Sequence, residues 1–302
     1  MKAPVIVFAY NRPDKLERCL NSLETNAEAG ETDLFVFSDG AKNDADRSKV
    51  DQVRDLLEKY KGKTTFKDIK ITSREKNCGL ATSIITGVSD VISRYGKVIV
   101  VEDDLVVSRY FLKFMNESLD FYEGFDEIWA VGGYTPELKV LRKYPHDIYV
   151  NYRATSEGWA MWKNRWDTVI WDMDKINGII SDSVVLERFK RGGNDLPVML
   201  RLQGEGKIDS WAIRWNFSQA YQDKLAIAPC RTLVHNIGFD GTGVHSKSNG
   251  RLVLDEEDIE RVVNKKSDFR FEKLKPDRSI IHAFYYEYSD TIWKKIKRRL
   301  PW

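Results

Sequence analysis

The sequence predicts an α/β fold with a mainly parallel central sheet flanked by helices. Two patterns carry this expectation. Continuous apolar runs of strand length alternate with segments whose apolar residues recur every three or four positions, and the connections between them are short. Strands that are apolar on both faces suit a sheet covered on both sides.

The elements follow in order. "PVIVFAY" (residues 4–10) reads as a buried strand; Leu16, Cys19, Leu20 and Leu23 then recur at helical spacing, with Pro13 where a first helical turn tolerates it. "DLFVFSDG" (33–40) is a second strand, and Val50, Val53, Leu57 and Tyr60 mark a second helix. "FKDIKIT" (66–72) is a third strand. Leu80, Ile84, Val88 and Val91 line a third helix, which Gly96 can close before "KVIVVE" (97–102) supplies a fourth strand. Beyond residue 125 the pattern loosens. "IWAVGGY" and "DIYVNYRA" read as strands, "EGWAMWKNRWDTVIW" as a Trp-rich turn and helix, and "DSWAIRWNFSQAYQD" as another helix. Trp159, Trp162 and Trp166 have helical spacing, which is more often core than sugar platform.

Composition excludes several classes. The chain has 302 residues, 42% hydrophobic and 31% charged, as in an ordinary globular protein, and its net charge of +2 does not suit a nucleic-acid binder. The nine Trp, thirteen Tyr and fourteen Phe suit both cores and sugar rings. Three widely spaced cysteines form neither a disulfide framework nor a CxxC site, so a reducing, cytoplasmic setting fits. The N-terminal apolar run is interrupted by Asn11, Arg12 and Pro13 and reads as a strand rather than a secretory signal. No apolar stretch approaches the ~18 residues that span a bilayer. The tail "WKKIKRRLPW" sets five cations between two Trp residues, as a solvated helix end or a peripheral contact with an anionic membrane would.

Glu102, Asp103 and Asp104 form an acidic triplet at the end of the fourth strand. Crowded carboxylates cost stability unless a cation sits among them. Open α/β sheets bind ligands at the carboxyl ends of their strands, where "NRPD" and "SDGA" also fall. Neither G-x-G-x-x-G nor a Walker loop is present, which argues against a dinucleotide or P-loop enzyme. A hard dication such as Mn²⁺ or Mg²⁺ takes one or two carboxylates together with substrate phosphates. Alternation along a strand puts Glu102 and Asp104 on one side and Asp103 on the other.

"VVEDDLVVSRYFLKFMN" resembles the metal and nucleotide-sugar motif of glycosyltransferases with the GT-A fold, most of all the N-acetylglucosaminyltransferase I family. "PVIVFAYNRPDKLERCLNSL", "FSDGA", "EGWAMW", "GKIDSWAIRW" and "CRTLVHNIGFDGTGVHS" resemble further blocks of that family in the same order, from residue 4 to about 247. The resemblance implies that Asp104 ligates Mn²⁺ (or Mg²⁺), which bridges the phosphates of a UDP-sugar, while Asp103 faces the ribose and Glu102 the sugar. Arg12 and Asp39 match positions near the uridine and its phosphates; Asp209 matches the general base of an inverting reaction, and Trp211 the acceptor-side wall. The chain departs from the family in having Ser210 where a second acid follows Asp209. The expected layout is one GT-A domain over residues 1–285, with a nucleotide-sugar-binding half (1–125), an acceptor-side half (126–285) and a basic tail (286–302).

The chemistry asks for distinct groups. A metal stabilises the leaving diphosphate, and a carboxylate on the opposite face takes the proton of the attacking hydroxyl. Asp209 has a duller alternative as a helix N-cap, Asp39 as a turn residue and Arg12 as a surface residue. His235 and His245 flank "NIGFDGTGV" and are candidates for metal or phosphate contact, although the resembling family uses only the last acid of its triplet. The expected activity is sugar transfer from a UDP-sugar, with UDP-N-acetylglucosamine the donor that the resemblance implies, to a glycan or lipid-linked hydroxyl in surface polysaccharide assembly. The alternatives are a sugar-phosphate nucleotidyltransferase, disfavoured by the lack of a Gly-rich basic loop after the first strand, and a non-catalytic carbohydrate-binding protein.

Overall fold

The computed structural model describes residues 1–238 and 254–288. Its first half is a regular strand–helix alternation: β1 (Val5–Ala9), α1 (Pro13–Glu24), β2 (Asp33–Ser38), α2 (Asp44–Lys61), β3 (Asp68–Ser73), α3 (Leu80–Tyr95) and β4 (Lys97–Glu102). Gly96 ends α3 in the left-handed conformation (φ 76°), which a residue without Cβ adopts at little cost. A short β5 (Leu105–Val107) and α4 (Phe111–Tyr122) complete this half.

The second half carries β6 (Ile128–Gly132), β7 (Ile148–Asn151), β8 (Trp159–Trp162), the single turn α5 (Lys163–Trp166), then α6 (Met173–Ile180), α7 (Ser183–Lys190), α8 (Asp195–Gly204) and α9 (Trp211–Tyr221). After them come β9 (Leu225–Pro229), β10 (Val234–Asn236), α10 (Glu256–Val263) and α11 (Arg278–Glu287).

Eight strands form one sheet in the order β3-β2-β1-β4-β8-β6-β9-β7. The pairs β1–β2, β1–β4, β2–β3 and β6–β9 are parallel, whereas β4–β8, β6–β8 and β7–β9 are antiparallel. The sheet is therefore mixed, with its parallel wound part confined to the first half. A continuous apolar run reports burial on both faces and carries no information on strand direction.

Alternation along β1 divides the interior into two layers. Val5 and Val7 face α1, α2 and α4, packing with Leu16, Leu20 and Leu57; Ile6 and Phe8 face α3 and α9, packing with Ile84, Val88, Trp159 and Trp211. Each such fully buried aliphatic side chain stabilises the fold by about 1.5–3 kcal/mol. Helices α6, α7 and α8 build a third cluster on the outer face of α9, from Ile176, Phe189, Leu200 and Phe217. The sequence pattern did not mark these three helices. At the sheet edge Ile280 and Phe284 of α11 pack on Tyr149 of β7 and Ala228 of β9.

The Trp-rich segment differs from expectation. Trp159 and Trp162 lie on strand β8, three residues apart and hence on opposite faces, and each enters a different core layer. Both are buried, as a core role requires, but their spacing came from a doubly covered strand rather than from a helix. No helix among the described residues is long and apolar enough to cross a membrane.

Candidate active site at the carboxyl edge of the sheet

Because β1, β2 and β4 are parallel neighbours, their carboxyl ends lie side by side. Ala9 pairs with Ser38 and Phe8 with Glu102. The ladder continues one residue into each loop: Asp39 N donates to Ala9 O at 3.0 Å and Asp103 N to Phe8 O at 3.2 Å. Three strand ends therefore converge on one rim.

Arg12, the residue before α1, reaches across this rim. Its Nη1 donates to Asp104 Oδ2 at 2.8 Å and its Nη2 to Asp103 Oδ1, while Tyr10 N donates to Asp103 Oδ2 at 3.3 Å. Arg12 is thus no surface residue but the cation that the acidic triplet required. The alternation expected within the triplet does not hold. The strand ends at Glu102, and Asp103 and Asp104 occupy the following turn, where both turn toward the same guanidinium.

The electrostatics follow from burial. Asp103 is 2% and Asp104 8% exposed. Burial pushes Asp103 up to about 6, with Arg12 opposing and Asp104 reinforcing the shift. Burial, then Asp104 and Asp103, push Glu102 up to about 8. Burial disfavours the charge on Arg12, but the two aspartates outweigh it and hold the guanidinium charged.

This donor set suits a hard dication. It offers carboxylate oxygens only, and its surplus negative charge exceeds what one guanidinium neutralises. Among the described residues no group of three or more His, Cys, Asp or Glu side chains is placed to hold a metal by itself. One or two carboxylates completed by substrate phosphates is the usual arrangement for Mg²⁺-like ions. The chain also passes close against Asp104. Ile237 N donates to Asp104 O at 2.8 Å, and a Cβ on Gly238 would collide with Asp104 Oδ2, so a residue without a side chain stands where the backbone crosses the carboxylate.

Asp39 is buried, and backbone groups occupy its carboxylate. Oδ1 accepts from Gly40 N and Cys78 N, each at 3.0 Å, and Oδ2 accepts from Gly79 N at 3.0 Å. This is more than a local turn, because it ties the end of β2 to the loop that starts α3. Asp209 stands beside the same loop: its Oδ2 lies 4.0 Å from where a Cβ on Gly79 would be. Asp209 is not the N-cap of α9. Ser210 is, with its hydroxyl accepting from Ile213 N at 3.3 Å. The Asp209 side chain is left 66% exposed, with Arg214 Nη2 donating to it at 3.5 Å.

Trp211 departs from its expected place in an acceptor-side wall. It is 3% exposed and packs against Trp159 and Trp215, with ring centroids 5.2 and 5.4 Å away, because the register of α9 turns it into the core. His235 lies on β10, paired with Val106 of β5, three residues before the glycine that crosses Asp104. His245 lies outside the described residues.

Two features escaped sequence reasoning. Tyr10 Oη and Asn11 Nδ2 donate to the two oxygens of Asp46 at 2.8 and 2.9 Å, tying the loop before Arg12 to the first turn of α2. The sequence signal was the polar "NRPD" segment, but Asp46 itself reads as an ordinary first-turn acid. Gly238 carries no signal beyond being one glycine in a glycine-containing loop.

Residues 5–124 match the family model described as glycosyl transferase family 2. The stretch begins at β1, ends just past α4 and includes Arg12, Asp39 and the whole triplet. The match covers about two fifths of the chain and marks this part of the α/β fold as similar to family 2 glycosyltransferases. Comparison with curated proteins gives no match. Among solved structures the chain is similar to S. aureus TarS, at 20% identity and a TM-score of 0.34, over 45% of this chain and 23% of that one. It is also similar to the galactosyltransferase LgtC in complex with donor and acceptor sugar analogs, at 12% identity and a TM-score of 0.37, over 72% and 70% of the two chains. A further similarity, to the glycosyltransferase GlyE of Streptococcus pneumoniae TIGR4, has 9% identity and a TM-score of 0.36 over 76% and 45%. The chain thus spans less than a quarter of TarS. At these scores the structural likenesses carry no further argument.

Proposed function

We propose that the protein is a metal-dependent, inverting glycosyltransferase that moves a sugar from a UDP-sugar to a hydroxyl of a glycan or lipid-linked acceptor. The observation that carries this is the joining of Arg12 to Asp103 and Asp104 at the adjacent ends of β1 and β4, inside the segment that matches the family. Asp104 would hold Mn²⁺ or Mg²⁺, which when bound supplies positive charge for the leaving diphosphate. Arg12 adds a fixed cation beside the phosphates. Asp103 binds the ribose, and Asp39 shapes the uridine end through the loop that it pins. Glu102 faces the donor sugar.

Asp209 is the base. An exposed carboxylate not consumed as a helix cap is free to accept the proton of the attacking hydroxyl, and it is separate from the metal acid, as inversion requires. His235 and His245 are secondary contacts to phosphate or metal. The sequence likeness to the N-acetylglucosaminyltransferase I family supports UDP-N-acetylglucosamine as donor. The free cysteines among the described residues accord with a cytoplasmic setting, and the composition of the basic tail, of which residues 289–302 lie outside the described residues, suits an anionic membrane surface.

A UDP-sugar panel assayed for slow UDP release tests the donor half. Release should need Mn²⁺ or Mg²⁺, stop with chelator and fall at least ~100-fold in Asp104→Ala. Release indifferent to both chelator and substitution removes the metal assignment. Asp209→Asn should lose ~100-fold or more in acceptor-dependent transfer while still binding UDP, and near-normal turnover would rule it out as the base.

A further inference from the structure

A second cluster of charge lies at the opposite edge of the sheet from β3. There β9 and β7 meet a cavity of about 320 Å³. Cys230, just after β9, and Asp147, just before β7, form part of its lining; Arg142, Arg231, Lys265 and Lys266 converge on it from three separate segments. Four cations thus face one acid. Asp147 is paired with Lys266 at 2.8 Å, and Arg142 with Glu137 at 2.5 Å. Arg231 and Lys265 have no carboxylate partner among the described residues. The Cys230 thiol, pushed up to about 12 chiefly by burial, adds no negative charge.

Like charges gathered around a concavity repel one another, and an anion within it relieves the repulsion. Arginine beside lysine suits the oxygens of a phosphate group, which a guanidinium binds in bidentate fashion.

The cavity lies at the same end of the sheet as the candidate active site. β4 and β6 are each antiparallel to β8, and β9 is parallel to β6, so β9 and β4 end on the same side of the sheet. From Cys230 the chain runs to Gly238 against Asp104, eight residues that span at most ~28 Å. One extended ligand can therefore reach both places.

We propose that this cavity is an acceptor subsite for a phosphate-type oxyanion, and that the acceptor is a glycan chain carrying phosphate esters. The acceptor role rests on the glycosyltransferase reading, whereas phosphate binding does not. The test is calorimetric titration of the full chain with glycerol 3-phosphate at low ionic strength, with glycerol as the neutral control. Wild type should bind the phosphate and not glycerol. The exposed pair Arg231→Gln and Lys265→Gln, combined, should weaken binding roughly 30-fold, about 1 kcal/mol per removed charge. Unchanged affinity in the double variant, or no binding by wild type, overturns the proposal.

UDP is titrated in parallel. Equal UDP affinity in wild type and double variant supports a subsite separate from the donor rim. No UDP binding by wild type removes the glycosyltransferase reading, and the acceptor role with it, while the phosphate site is judged on the first titration. Sedimentation with phosphatidylglycerol vesicles distinguishes a lipid headgroup. Vesicle binding that the double substitution abolishes, without binding of soluble glycerol 3-phosphate, overturns the acceptor assignment.

Discussion

Replacing Arg12 with methionine removes the cation that touches both Asp103 and Asp104 while keeping most of the side-chain volume. At an effective dielectric of ~20, each guanidinium–carboxylate pair near 4 Å between charge centres is worth ~4 kcal/mol before desolvation. Burying the guanidinium offsets much of that gain, and breaking a buried pair costs ~3–5 kcal/mol because the partners stay buried and uncompensated. The Arg12 side chain is 20% exposed, which favours the lower end, about 3 kcal/mol. For a chain of 302 residues that is a fall in Tm of about 5 °C. The same substitution leaves a dication with no competitor for Asp103 and Asp104. Added Mn²⁺ should therefore raise the Tm of Arg12→Met more than that of wild type. Differential scanning fluorimetry with and without Mn²⁺ measures both quantities. A variant melting within 1 °C of wild type and indifferent to Mn²⁺ would refute the claim that these acids need a cation and accept a metal.

Two further perturbations probe the rim and the far edge. Asp39→Ala leaves the N–H groups of Gly40, Cys78 and Gly79 without their acceptor in a buried loop and should cost about 2–3 kcal/mol in urea unfolding, with Asp39→Asn costing less; an unchanged midpoint would show that the loop does not depend on it. Burial alone would raise the pKa of Asp147, but the hydrogen bonds from Lys266 and the Arg270 N–H lower it overall, so its contribution is present above the unfolded value of about 3.9 and disappears as pH falls through the lower folded value. Asp147→Asn should therefore be less stable than wild type at neutral pH by up to ~1 kcal/mol and should match it in strong acid; a gap that persists at pH 2 would assign the effect to packing instead.

The legible part of this fold was the part where one physical signal has one structural meaning. Three of the four strands of the wound half, β1, β2 and β4, are apolar on both faces, and the helices between the strands show a clean stripe, so the position of the acidic triplet at a strand end followed directly. Direction in the second half was not legible. β8 runs antiparallel to β4, yet "WAMW" has the same composition that a parallel buried strand would show. Its two Trp residues mimic helical spacing only because both faces of the sheet are covered. Asp209 and Ser210 are both good caps, and propensity cannot say which of two adjacent capping residues takes the position. Only the observed Ser210 hydroxyl contact releases Asp209 for other work.

The remaining gap is one of sequence distance. Arg12 and Asp104 are 92 residues apart, and no local pattern links them. Their meeting requires β1 and β4 to be direct neighbours, which in turn requires the chain to place β2 and β3 on one side of β1 and to return β4 on the other. That reversal of strand order leaves a crevice at the carboxyl ends of β1 and β4, where the loops diverge to opposite sides. Charge placed there is largely desolvated, so the same topology that raises the cost of the acids also brings the Arg12 guanidinium across to offset it.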